Sequence, residues 1–256
     1  MRIVVAIVTL LGLSASPAPA QPLPVSYSQG EQAFDSLSVE NRRKFQILLI
    51  TAGYWSAVPA ERFNTRLFQA IQNWQSADGL IPDGILNERS FQRLVAEARS
   101  LITTWQMQER FHPGTMRKIW IPTGLLQVAD PISSGMLYKD PFGRIRLQHS
   151  NFENADLASS YQHLLDRARV EGRSVRFSII RPNFYAMNWT SPGGTEAYVR
   201  YHRYGSGSYG FSMFWDSARN SFYAERVAAL VSASLSADMK GLPFADPSTI
   251  DNLQAR

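Results

Sequence analysis

The chain of 256 residues contains no cysteine. That absence excludes thiol nucleophiles, thiolate-ligated zinc and structural disulfides, so stability has to come from packing alone. No run of lysine and arginine is long enough to mark a nucleic-acid tail, although the formal net charge is +5, and a mildly basic surface suits anionic polymers or lipid headgroups. Beyond the first residues no stretch is apolar enough to cross a bilayer, and a soluble mature chain is expected. What is present is ample material for a core, since 45% of residues are hydrophobic and 12% aromatic.

The N-terminus reads Met1-Arg2, an apolar run from Ile3 to Leu13, then SASPAPA ending at Ala20. One positive charge, a short apolar core and a small-x-small site form a secretory signal, with cleavage expected after Ala20. Export and the lack of cysteine together point to a bacterial periplasmic protein. Pro22 and Pro24 open a flexible leader over residues 21–33, and the remaining length suits one large domain or two small ones.

Residues 34–98 read as three short helices. Ser38 caps the first, with Phe45, Leu48 and Leu49 inward and Gly53 past its end. Asn64 caps the second, whose Leu67, Phe68, Ile71 and Trp74 share a face. Pro82-Asp83-Gly84 is a turn, and Asn87 caps the third helix, with Phe91, Leu94 and Val95 inward.

The stretch Gly53-Tyr54, Phe63, Thr65, Trp74-Gln75, Gly79-Leu80, Asp83-Gly84 and Leu94 resembles the three-helix, type 1 peptidoglycan-binding domain appended to many bacterial wall hydrolases. It departs from that family where an Asp-Gly-x-x-Gly loop usually joins the first two helices, and Ala60-Glu61-Arg62-Phe63-Asn64 stands instead. The resemblance implies peptidoglycan as a partner. Candidate contacts on the expected outer surface are Tyr54, Trp55, Arg62 and Gln75, because aromatic faces stack on sugar rings while Arg and Gln reach carboxylates and acetamido groups. Each also reads as a surface or capping residue.

Residues 99–118 read as a helix tail and a connector with a turn at Pro113-Gly114. From 119 to 240 the pattern changes to strands at 119–122, 136–138 and 144–148, a helix capped by Asp156, strands at 174–180, 184–189, 197–204 and 209–215, and a helix at 225–235. The expected class is α+β: a small helical module, then an antiparallel sheet with packed helices, then a C-terminal tail over 241–256. This half resembles the PsbP-like fold, which implies interaction over catalysis and a further envelope protein as second partner.

Gly205-Ser206-Gly207-Ser208-Tyr209-Gly210 fits GxGxxG, but a strand pattern follows where a dinucleotide site needs a helix, so it reads as a hairpin turn. His112, His149, His163 and His202 show no metal-ligand spacing, and neither a metal nor a cofactor is expected. Asp130, Asp140, Glu153, Asp156 and Asp216 sit in turn or capping contexts, so no catalytic residue is assigned. In the strand 197–204, alternation places Tyr198, Arg200, His202 and Tyr204 on one side, a face open to solvent or to an anionic partner. The leading expectation is a non-enzymatic wall-binding protein. A periplasmic hydrolase with its site in the second half and a pure protein-interaction module are the alternatives.

Overall fold

A computed structural model describes residues 25–250. The signal sequence expected over Met1–Ala20 lies outside these residues. The chain forms an α+β structure in which a helical N-terminal region precedes an antiparallel sheet.

The helical region holds α1 (Val25–Ser36), α2 (Val39–Ala52), α3 (Thr65–Ala77) and α4 (Glu88–Trp105). Ser38 caps α2 by accepting from Asn41 N at 3.1 Å. Gly53 closes the helix at φ 96°, where its N–H reaches the carbonyls of Leu49 and Ile50. Asn64 caps α3, and Asn87 with Ser90 forms a reciprocal capping box on α4. These side chains satisfy amides that the first turn leaves without partners. Leu67, Ile71, Trp74, Phe91 and Leu94 are fully buried, as the helical spacing predicts, and each such side chain stabilises the fold by ~1.5–3 kcal/mol.

Two differences from expectation appear here. The leader expected over residues 21–33 is helix α1 from Val25 onward. Its Tyr27 and Phe34 rings pack 5.3 and 5.6 Å from Phe63. The third helix also runs on to Trp105, because Ile102 and Trp105 extend its buried stripe through residues expected in the connector.

The second half begins with a two-stranded ribbon of β1 (Met107–Phe111) and β2 (Lys118–Pro122). It continues with β3 (Val128–Ile132), β4 (Gly135–Lys139), β5 (Ile145–Phe152), α5 (Leu157–Val170), β6 (Ser174–Arg181), β7 (Phe184–Thr190), β8 (Thr195–Tyr204), β9 (Gly207–Asp216) and α6 (Ser217–Met239). Seven of these strands make one antiparallel sheet in the order β3-β4-β5-β9-β8-β7-β6. Helix α5 covers one face through Leu157, against Tyr185, Met187, Trp189 and Tyr201. Helix α6 covers the other face.

Because α6 lies between the sheet and the helical region, it is apolar on more than one side, as a helix buried all round must be. Val227, Leu230, Val231 and Leu235 are buried in one core with Leu48 and Trp74 of the helical region and Phe211 and Met213 of β9. Small residues let three layers approach closely, and Ser234 Oγ accepts from Trp120 N of β2 at 3.1 Å. Past α6 the chain expected as a tail makes a short 3-10 turn, Pro247–Thr249, and buries Ile250.

Strands β1 and β3 were not expected. Arg200 and His202 also depart from expectation: the strand parity is right, but the face is covered by α6. Both residues are 7% exposed, with Arg200 Nε donating to His202 Nε2 at 3.1 Å and its guanidinium 4.2 Å above the Phe184 ring. The solvated or anion-binding surface expected there is instead interior. The Gly205-Ser206 pair is the hairpin turn between β8 and β9, as read from the strand that follows it.

Candidate functional site

The four residues singled out in the helical region lie in different environments. Tyr54 follows the left-handed cap of α2 and is half-buried, with its hydroxyl donating to the Glu97 carboxylate of α4. Glu97 also accepts from the indole of Trp74 at 3.0 Å. Burial pushes the Glu97 carboxyl above its usual range despite these two donors. Arg226 of α6 completes the cluster: it donates to Thr51 O at 3.1 Å and places a cation at the C-terminal end of α2, where the helix dipole favours it.

Trp55 is buried at 6% exposure, and Arg66 stacks its guanidinium 5.5 Å from the ring. Gln75 is also buried, at 3%. Its amide spans the turn before α4: Nε2 donates to Asp83 Oδ1 at 2.8 Å and to Ile85 O at 3.1 Å, and Oε1 accepts from Gly84 N at 2.8 Å. The outward position expected for Trp55 and Gln75 is therefore not met, since tertiary packing and the turn claim them first. Arg62 is exposed, and its side chain makes no hydrogen bond or ion pair with other described residues, although its charge helps hold the neighbouring Glu61 carboxyl below its usual range. No hydrogen bond, ion pair or ring contact joins the four to one another.

The loop that departs from the family pattern keeps its shape by other means. Gln46 of α2, fully buried, donates from Nε2 to Ala60 O at 2.9 Å and accepts from Ala60 N at 2.6 Å. Phe63 is buried among Tyr27, Phe34 and Phe68, while Glu61 pairs with Lys240 near the end of α6 at 2.5 Å. A side-chain clamp and an ion pair to the second half thus replace the loop glycines. Gln46 was missed in the sequence because its partner is fourteen residues away and is main chain. A narrow crevice of about 90 Å³ lies between this loop, α2 and α6. Its cations are committed: Arg42 pairs with Asp35 at 3.3 Å within the helical region, while Arg43 to Pro243 O and Lys240 to Glu61 link the two halves.

In the second half, the buried carboxylates are also committed. Glu196, 2% exposed, accepts from Trp215 Nε1 at 2.8 Å and pairs with Arg176 at 2.7 Å. Asp140 holds the amide of Ile145 at 2.7 Å across its own turn. No group of three or more potential metal ligands occurs among the described residues, and no helix among them is long and apolar enough to cross a membrane.

No curated protein matches the chain. Residues 38–94, which carry α2, α3 and the start of α4, match the family model described as a putative peptidoglycan binding domain, a match that suggests peptidoglycan binding and association with the cell wall.

Proposed function

We propose that the chain is an exported, periplasmic wall-binding protein without catalytic activity, in which the helical unit over residues 34–98 holds peptidoglycan and the α+β half over residues 119–240 engages an envelope protein. The single observation that carries this reading is the family match over 38–94, on helices whose caps and core are intact. Tyr54 and Arg62 are the two proposed contacts that are not buried, one half-buried with its hydroxyl on a carboxylate and the other an exposed guanidinium that makes no hydrogen bond or ion pair with described residues. Export rests on the signal-like N-terminus and the absence of cysteine.

Binding is favoured over hydrolysis because, among the described residues, the two most buried carboxylates are spent on an arginine, an indole and a turn amide, and of the carboxyls that burial raises Glu97 is held by Trp74 and Tyr54 and Asp238 by Arg117. A glycosidase instead needs one acid free to protonate the leaving group. Partner engagement is supported by the contrast between the two sheet edges. Strand β3 is short and carries Pro131, whereas β6 runs eight residues without proline and exposes Val175, Phe177 and Ile180. Long apolar edges invite pairing, and proline blunts them.

Deleting residues 34–98 would strip α6 of the α2 packing it shares a core with, so surface variants are the better probe. Co-sedimentation of the whole chain with purified sacculi is expected to fall at least severalfold in Arg62→Glu with Tyr54→Ala. Retention equal to the parent chain would remove the wall-binding role from this surface.

A further inference from the structure

At the end of the seven-stranded sheet formed by the turns after β3 and β8, two adjoining depressions share Gly114, Asn151 and Glu153. Their volumes, about 440 and 600 Å³, fall within the ~300–1,000 Å³ typical of ligand sites. Four separate segments build the walls: the β1–β2 turn, the β3–β4 turn, the end of β5 and the β8–β9 turn. Gly135 at the start of β4 makes the hollow possible. It sits at φ 149°, and a Cβ there would lie 2.4 Å from the ring of His112.

The floor is rigid. His112 is 4% exposed and fixed at both ring nitrogens, with Nε2 donating to Ser134 O at 2.7 Å and Nδ1 accepting from Gly114 N at 3.1 Å. Its ring stands edge-on to His149, 5.2 Å away, and His149 Nε2 is 2.6 Å from Tyr209 Oη. Both of these residues are fully buried. A floor so constrained costs little ordering entropy when a ligand settles on it.

The polar groups above that floor are unspent. The side chains of Ser133, Asn151 and Glu153 make no hydrogen bond or ion pair with any described residue. Among the described residues no lysine or arginine lines either depression, and Glu153 is the single formal charge of the lining. A phosphate or other anion would find no cation in the lining, since Arg117 beside the Tyr204 ring pairs with Asp238, and one repelling carboxylate. A neutral polyhydroxylated ligand finds an amide that both donates and accepts, a carboxylate that accepts from paired hydroxyls, and a free hydroxyl. The half-buried ring of Tyr204, braced by Arg117 at 5.3 Å, adds an apolar surface for the C–H face of a sugar.

We propose that this cleft is a second glycan site, in which Asn151 and Glu153 hold the hydroxyl and acetamido groups of a neutral amino-sugar unit against Tyr204. The choice of an amino sugar among neutral polyols rests on the wall-binding reading of the helical unit, whereas the cleft's preference for a neutral sugar does not. The whole protein would thereby grip a glycan strand at two places.

Isothermal titration of the whole chain with triacetylchitotriose tests this, with maltotriose and inorganic phosphate as controls. Asn151→Ala and Glu153→Ala, both at surface positions, are expected to weaken triacetylchitotriose binding by roughly five- to tenfold each, the range of one or two hydrogen bonds. Their melting temperatures should be unchanged, and Arg62→Glu should titrate like the parent. No binding at millimolar sugar, or equal affinity in the parent and both variants, overturns the site. Equal affinity for maltotriose overturns the amino-sugar assignment, and phosphate binding overturns the charge argument. Loss of sacculus retention only in the helical variants, with no triacetylchitotriose binding, would refute this cleft and leave the helical reading standing. The reverse pattern would refute the helical reading alone.

Discussion

Replacing Gln75 by alanine separates a strut from a ligand contact. The side chain makes three hydrogen bonds around the turn 83–85 from a position 3% exposed. Each is worth about 1 kcal/mol net, and a buried donor left without a partner costs about 1–3 kcal/mol. Gly84 N becomes such a donor, since Gly84 itself is pressed against Phe68, where a Cβ would lie 2.1 Å from the ring. Water can repair the Asp83 carboxylate, which is partly exposed, so the expected loss is about 3 kcal/mol rather than the full sum. For a chain of this size that lowers the melting temperature by roughly 6–12 °C. Urea unfolding followed by tryptophan fluorescence reads it, because three of the six tryptophans, Trp55, Trp74 and Trp105, are in the helical region. The midpoint should fall with an unchanged slope, while Arg62→Ala stays within about 0.5 kcal/mol of the parent. An unchanged midpoint for Gln75→Ala, combined with loss of sacculus retention, would refute the assignment of Gln75 as a strut and restore it as a contact.

Acid sensitivity should begin well above the carboxylate range. Burial holds His149 and His202 down to about 3 in the folded chain, against about 6.5 when unfolded. Between those values the unfolded chain binds protons that the folded one refuses, so stability falls as pH drops, by up to ~1.4 kcal/mol per pH unit for each histidine. Glu97, Glu225 and Asp238, whose carboxyls burial pushes up, offset part of this. Melting temperatures that stay level between pH 6 and pH 4 would contradict the prediction. Gly53→Ala should cost about 1–2 kcal/mol from the left-handed backbone alone, and more because the new Cβ would lie 2.4 Å from Arg226 Nη2. A companion Arg226→Ala should recover part of that loss in a double-mutant cycle, and purely additive effects would exclude the contact.

Local signals were legible in the sequence and non-local ones were not. Ser38, Asn64, Asn87 and Asp156 cap helices within three residues of themselves, so their roles can be read from spacing. Strand β1 was hidden because Gln108, Glu109 and Arg110 are polar, and it is a strand only through pairing with β2. Strand β3 was hidden by Pro131, which an edge tolerates. Helix α1 has only Tyr27 and Phe34 as large anchors, with Gly30 between them, where a Cβ would lie 2.8 Å from Gly84 O. The burial of Trp55, Gln75, Arg200 and His202 depends on what packs over them. Likewise, no local pattern could assemble a cleft from segments near residues 114, 134, 152 and 206, and Glu153 taken alone reads as a turn residue.

The central claim is that the helical unit touches the wall polymer. Amide chemical-shift mapping of the whole chain with soluble muropeptides tests it most directly. The account predicts the largest shifts around Tyr54, Arg62 and their neighbours within residues 38–94. Shifts confined to the sheet, or none anywhere at saturating muropeptide, would contradict it.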